Sequence, residues 1–307
     1  TGGMATPSAL SADEARLLAG LDGTRAGMVA QILEWAAINS GSRNLDGCAA
    51  MADRLAEAFA PLGTVTLRDP APASAMAADG REIPLAHGRI LHVVQRPEAP
   101  VRVLLTGHMD TVFGPDHPFQ ACRWLDADTL NGPGTADMKG GIAVMLAALS
   151  AIAASPFAAR IGWDVMINAD EEVSSLGSAP LLADAARRCH LGLTYEPALP
   201  DGTLAGARRG SGNFSAHVAG RAAHAGREPE KGRNALLAAA DLALRLKALT
   251  ADDLSVNPAK IDGGGPNNIV PDTAVLRWNM RPATLAAQDR AQAAITALLA
   301  EVAAAHE

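Results

Sequence analysis

Apolar residues recur at helical spacing over residues 11–38, in Leu17, Leu18, Leu21, Met28, Ile32 and Trp35, and predict a helix there. A second helix is expected over residues 48–59, stopped at Pro61-Leu62-Gly63. Residues 64–100 are rich in Ala, Pro and Gly, with short β-like runs such as 90–94. The compact apolar run 101–106, closed by Gly107, reads as a buried strand. An Ala-rich helix over 140–154, a strand over 160–169, a helix over 178–188 and a short strand over 191–195 follow. This alternation predicts an α/β unit with a mostly parallel sheet.

Beyond residue 208 the pattern changes. Residues 213–219 alternate like a half-exposed strand, 234–249 form a helix, 256–261 and 273–280 are strands, and 285–305 is a helix. The order β-α-β-β-α is one strand short of a split βαβ sandwich. Domains are expected at 1–208 and 209–307, with the glycine-rich stretch 202–212 as the hinge.

Composition narrows the function. The 307 residues are 49% hydrophobic and 19% charged, which suits a globular chain with room for two domains. A net charge of −7 and 3% aromatic residues argue against a nucleic-acid partner. No run reaches the roughly 18 consecutive apolar residues that span a bilayer, so no membrane partner is expected. Cys48, Cys122 and Cys189 are too few and too scattered for a disulfide framework, and a cytoplasmic location is expected.

Ligands of open α/β sheets bind beyond the carboxyl ends of the strands. Here those ends carry His108-Met109-Asp110, Asp170-Glu171-Glu172 and Glu196, and a glycine-rich loop, 131–137, delivers Asp137 just before a helix. Each segment alone has a plainer reading: a structural histidine, a solvated turn, a loop. Together they offer imidazole and carboxylate ligands suited to zinc, manganese or cobalt. Asp110, two residues past His108, can orient the imidazole. Of the adjacent Glu171 and Glu172, one can ligate while the other acts as a base.

These segments resemble the di-zinc metallopeptidase and deacylase family of glutamate carboxypeptidase, acetylornithine deacetylase and succinyl-diaminopimelate desuccinylase, and most closely its glutamate carboxypeptidase branch. The matching stretches are 107–112 (GHMDTV), 131–141 (NGPGTADMKGG), Asp170-Glu171-Glu172, Glu196-Pro197, 223–226 (AHAG) with Asn234-Ala235, and 267–271 (NNIVP). The resemblance implies a zinc-exopeptidase-like catalytic domain with an inserted ferredoxin-like lid and dimerisation domain, and a homodimer formed through that lid. It implies two zinc ions per active site, with cobalt or manganese possible. His108 and Glu196 would ligate one metal, Glu172 the other, and Asp137 both. Glu171 would be the general base on a zinc-activated water and Asp110 the residue that orients His108. His224 would reach a partner's active site to stabilise the oxyanion. Asn268 and Arg281 would hold the substrate's carboxylate. A cis peptide is implied at Asp137–Met138. The implied activity is cleavage of an amide bond in a small amino-acid conjugate or peptide, carboxypeptidase-like.

One element of the family pattern has no match. The family uses a further histidine ligand near the end of a longer chain, and His306 does not sit in that motif. The C-terminal part of the catalytic domain is therefore expected to be absent from this sequence, the alternative being a shortened relative that has lost hydrolysis. Two other readings of the activity stay open: an N-acyl amino acid deacylase, and a non-catalytic module that binds amino-acid conjugates, for which Glu171 would be superfluous. Ser211 lies outside any G-x-S-x-G elbow, and Asp137 takes the third glycine position of a G-x-G-x-x-G fingerprint, which weakens the serine-hydrolase and dinucleotide readings.

Overall fold

A computed structural model describes residues 10–206 and 208–307. Residues 1–9 of the expected first domain and residue 207 of the expected hinge lie outside the described residues. The chain divides into two compact units: Thr1–Ala73 with Leu85–Ala198, and Ser74–Pro84 with Leu199–Glu307.

The first unit begins with α1 (Ala12–Ala19) and α2 (Arg25–Ala36) where a single helix was expected. The chain turns between them at residues 20–24, where two glycines remove the helix preference. Helix α3 (Leu45–Phe59) is capped by Asn44, whose side chain accepts from the Gly47 N–H at 3.2 Å. Strands β1 (Thr64–Arg68), β2 (Ala73–Met76), β3 (Glu82–Leu85), β4 (Ile90–Gln95) and β5 (Val101–His108) follow. The short strands β6 (Arg123–Trp124) and β7 (Leu130–Asn131) pair with each other. Then come α4 (Gly140–Ala153), β8 (Ile161–Asn168), α5 (Ala179–Arg187) and β9 (Leu191–Thr194).

Five strands form one sheet in the order β1-β4-β8-β5-β9. It is mixed, not mostly parallel. β5 runs parallel to β8 and to β9, whereas β1–β4 and β4–β8 are antiparallel. The cause is connectivity: α4 and α5 supply the long crossovers that parallel neighbours need, and β1 reaches β4 through the β2–β3 hairpin without one. The sheet is covered on both faces. Val93, Leu105, Trp163, Val165 and Ile167 pack with α2, α3 and α4, while Ile90, Leu104 and Met166 meet Leu181, Leu182 and Ala185 of α5. Phe59 and Trp163 are fully buried, and such side chains each contribute about 1.5–3 kcal/mol. Thr135–Ala153 is long and apolar enough to cross a membrane by length and composition, but Ile142, Met145 and Leu149 lie in this core, the pattern of a core helix.

The second unit follows the expected order: β10 (Gly212–Ala219), α6 (Ala235–Ala248), β11 (Leu254–Gly263), β12 (Thr273–Pro282) and α7 (Leu285–Ala305). Its antiparallel sheet runs β10-β12-β11, the strand order of a ferredoxin-like unit, with α6 and α7 packed on Val256, Leu276, Trp278 and Met280. The β2–β3 hairpin belongs to this unit, where Arg277 Nη2 donates to the Met76 carbonyl at 2.8 Å.

Candidate metal centre

The first unit brings His108, Asp110, Asp137, Glu171, Glu172 and Glu196 together from four separate segments. β5 ends on His108, which is 1% exposed. Its Nδ1 faces the Asp110 carbonyl oxygen at 3.0 Å and the Asp110 carboxylate at 3.4 Å, so the main chain is its nearer partner. Its Nε2 faces Asp137 Oδ1 at 2.9 Å and Glu196 Oε2 at 3.7 Å. The ring therefore turns one nitrogen inward, to be oriented, and the other toward two carboxylates.

Asp137 sits on the irregular turn Thr135–Lys139. Gly134 leads into it with φ 70°, a conformation that glycine takes without a Cβ penalty. The Asp137–Met138 peptide is cis, as the resemblance implies. Met138 is buried beneath the strand end, its sulfur 3.2 Å from the His108 amide nitrogen. Gly141, at the start of α4, is a second position where only glycine fits: a Cβ would collide with the Tyr195 carbonyl oxygen. That close approach packs the helix behind Asp137 against the strand that delivers Glu196.

The acidic triplet divides its labour. Asp170 is buried and accepts from the Gly177 and Ser178 N–H groups at 2.8 and 3.1 Å and from Asn168 Nδ2 at 3.1 Å, which closes the turn. Glu171 and Glu172 stand outside that network. Their main-chain N–H groups donate to Asp110 Oδ1 and Oδ2 at 3.2 and 3.3 Å. Asp110 thus fixes both the imidazole and the turn that bears the two glutamates. Its second oxygen also accepts from Ser42 Oγ at 2.7 Å. No local pattern marks Ser42, since its partner lies 68 positions away.

Ligand atoms of His108, Glu171 and Glu196 lie within 4.8 Å of one another, and so do those of His108, Asp137 and Glu172. Among the described residues no other such group of three is present, and His108 is the imidazole in both. The electrostatics suit a cation. Burial raises the Glu172 pKa, Asp137 and other neighbouring carboxylates add to it, and the group is pushed up to about 7. Glu171 is raised by burial and by Glu196, Asp110 and Asp137, against the opposing charge of His108. Burial disfavours charge on His108, but Asp110 and Glu196 outweigh it and push its pKa up to about 11. Crowded carboxylates around one imidazole make a donor set that fits a zinc-like divalent ion, which would relieve their repulsion.

His224, Asn268 and Arg281 lie in the second unit. His224 pairs with Ile269 in an isolated bridge, and the Ala225 N–H donates to the Asn268 carbonyl at 2.9 Å, so His224 and Asn268 share one loop cluster. Arg281 is near the far end of β12, with Nε donating to Asn279 Oδ1 at 3.0 Å. At about 3.3 Å per residue, it stands some tens of ångströms along the strand from that cluster. His306 ends α7 and faces Asp241 Oδ2 at 3.2 Å.

Parts of the chain match known families and proteins. Residues 90–203 match the model of peptidase family M28, and residues 206–307 match the peptidase dimerisation domain. Carboxypeptidase G2 of Pseudomonas sp. (strain RS-16) is 35% identical over 182 residues, which cover 58% of this chain and 44% of that enzyme. Succinyl-diaminopimelate desuccinylase of Stenotrophomonas maltophilia (strain R551-3) is 32% identical over 224 residues, covering 66% of this chain and 58% of that enzyme. The chain thus spans about half the length of the curated relatives it matches. An M20 family metallo-carboxypeptidase from Sulfolobus solfataricus shares the fold, with a TM-score of 0.64 at 13% identity over 90% of this chain and 76% of that one. The chain is accordingly a relative of the metallopeptidases and deacylases that include carboxypeptidase G2 and succinyl-diaminopimelate desuccinylase.

Proposed function

We propose that this chain carries the metal-binding and base-bearing portion, residues 1–208, of a hydrolase that cleaves an amide bond in a small peptide or amino-acid conjugate, with residues 209–307 as its lid and dimerisation domain. The observation that carries the reading is the convergence of two triads on one imidazole, His108 with Glu171 and Glu196 and His108 with Asp137 and Glu172, each with its ligand atoms within 4.8 Å of one another. His108, Asp137, Glu172 and Glu196 would hold zinc, or cobalt or manganese. A bound divalent metal supplies Lewis acidity, which acidifies water and polarises a carbonyl.

The chain's own groups supply the rest. Glu171, with its raised pKa, takes a proton from the attacking water and passes it to the departing amine. Asp110 holds the His108 ring in place through Nδ1. His224, contributed by a second copy of the chain, would donate to the oxyanion, Asn268 beside it would bind the substrate's carboxylate from that copy, and Arg281 would bind it from the other. The likeness to a desuccinylase favours one second reading, removal of an acyl group from an N-acyl amino acid. Turnover of peptides ending in glutamate, measured beside turnover of N-acyl amino acids, separates the two. Glu171→Gln tests the mechanism itself: turnover is expected to fall by about 10²–10⁴-fold while the metal content stays that of the parent, and parent-like turnover would refute the assignment.

A further inference from the structure

Residues 35–42, the last two residues of α2 and most of the connection to α3, touch both loops that converge on His108. On one side, Lys139, two residues after Asp137, is 1% exposed, and its Nζ donates to the Trp35 and Ile38 carbonyls at 3.0 Å each. On the other side, Ser40 Oγ donates to the Met109 carbonyl at 2.6 Å, the Thr111 N–H donates to the Ser40 carbonyl at 3.0 Å, and the Ser42 N–H donates to the Thr111 carbonyl at 3.1 Å. Ser42 Oγ then reaches Asp110 Oδ2 at 2.7 Å. One short segment is therefore bonded to the Asp137 turn and to the His108–Asp110 strand end.

We propose that residues 35–42 are a brace that sets the spacing of His108 and Asp137, with Ser42 as a positioning residue acting through Asp110 and Lys139 as a positioning residue acting through the Asp137 turn. The inference rests on the metal-site reading and adds residues that reading does not use.

Ser42 carries the sharper half of the argument. Asp110 is 0% exposed, and four groups share its two oxygens: His108 and the Glu171 N–H face Oδ1, and the Glu172 N–H and Ser42 face Oδ2. The hydroxyl makes the shortest of these contacts, and it is the one that reaches beyond the strand end and the acidic turn. Without it, Oδ2 keeps a single N–H donor at 3.3 Å, and the carboxylate can rotate. A rotated Asp110 changes the aim of the His108 ring and of both glutamates together. Fold stability does not need this bond in the same degree, because the flanking main-chain pairs of Ser40, Ser42 and Thr111 persist when the hydroxyl is removed. Lys139 differs: its buried ammonium serves fold and site at once, so its replacement cannot separate them.

The test uses the full chain, Co²⁺ as the probe, and three readouts: Co²⁺ affinity by titration calorimetry, the visible absorption of bound Co²⁺, and the melting temperature of the metal-free chain. Ser42→Ala is expected to weaken Co²⁺ binding by about tenfold, the scale found when groups that orient metal ligands are removed. It should alter the Co²⁺ spectrum and leave the metal-free melting temperature close to that of the parent. Ser42→Thr, which keeps the hydroxyl, is expected to restore both affinity and spectrum. Parent-like affinity and spectrum in Ser42→Ala would overturn the proposal, as would a loss of melting temperature with metal binding intact. A parent chain that binds no Co²⁺ overturns the metal-site reading and this role with it, a result distinct from a parent that binds and a variant that does not differ.

Discussion

The first unit holds two clusters that each set a histidine against an aspartate, and their charge balance is opposite. Around His108, the carboxylates of Asp110, Asp137, Glu171, Glu172 and Glu196 outnumber the one imidazole, and the Glu171 and Glu172 pKa values rise. In the middle of β8, Asp164 is faced by one histidine and two arginines. It is 1% exposed, accepts from His92 Nε2 at 2.9 Å, pairs with Arg102, and has Arg188 at 4.0 Å. Burial opposes its charge, but the His92 hydrogen bond and the Arg102 charge more than compensate and hold its carboxyl below the usual range. One cluster is complete with the side chains present. The other carries an excess of negative charge that a divalent cation would balance. Residue type alone does not tell a structural ion network from a metal site. The sign of the uncompensated charge does.

Substitutions at the two clusters should therefore act in different ways. The largest effect is expected at Glu171. Glu171→Gln removes the base and should lower turnover by about 10²–10⁴-fold, with metal content and melting temperature unchanged. Next comes Asp164→Asn, which leaves the buried Arg102 guanidinium without its partner. Breaking a buried ion pair from one side costs about 3–5 kcal/mol, so urea unfolding should show a loss of that order while the chain still binds metal. Asp137→Asn is the counterpart in the other cluster. Its side chain is 54% exposed, so it should reduce metal content sharply and cost little stability in the metal-free chain. If Asp164→Asn stripped the metal, or Asp137→Asn unfolded the chain, the division between a structural and a functional cluster would fail.

The elements of the site were legible in the sequence because each ligand lies at the end of a strongly patterned strand or at a glycine-rich turn. His108 closes an apolar run, Asp170 closes another, and Gly132-Pro133-Gly134 marks the turn before Asp137. The second unit was legible for a similar reason, since its strands alternate and its helices are long. Three things were not. The break after Ala19 is set by two glycines inside an otherwise helical pattern, which propensity alone does not resolve. The antiparallel half of the sheet follows from which strands are joined without a crossover, and the weakly patterned stretch 64–100 hid the β2–β3 hairpin. Ser42 and Lys139 act through partners far away in sequence, and a serine in a loop or a lysine beside two glycines carries no local mark of that.

The smallest expected effect, and the most direct probe of uncompensated charge, is the pH dependence of the metal-free chain. Glu172 ordinarily titrates near 4.5 and is pushed up to about 7. Between those values the folded chain holds more protons than the unfolded one, so stability falls as pH rises through the interval. Glu171, also raised, acts in the same direction. Well below pH 6.5, the ordinary value for histidine, His108 is charged in both states and adds little slope. Asp164, held low, has finished titrating below 3.8 and adds none. His87, held below the ordinary histidine value by burial, adds a slope of opposite sign, so between about pH 5 and 6 the glutamate contribution is read from the difference between the parent and Glu172→Gln. Urea midpoints measured there in the presence of a chelator should fall more steeply, or rise less steeply, with pH in the parent than in Glu172→Gln. Neutralising a carboxylate would then stabilise this cluster, whereas neutralising Asp164 destabilises the other. Equal slopes in parent and variant would mean that Glu172 is not crowded by its neighbours, and the contrast between the clusters would lose its electrostatic basis.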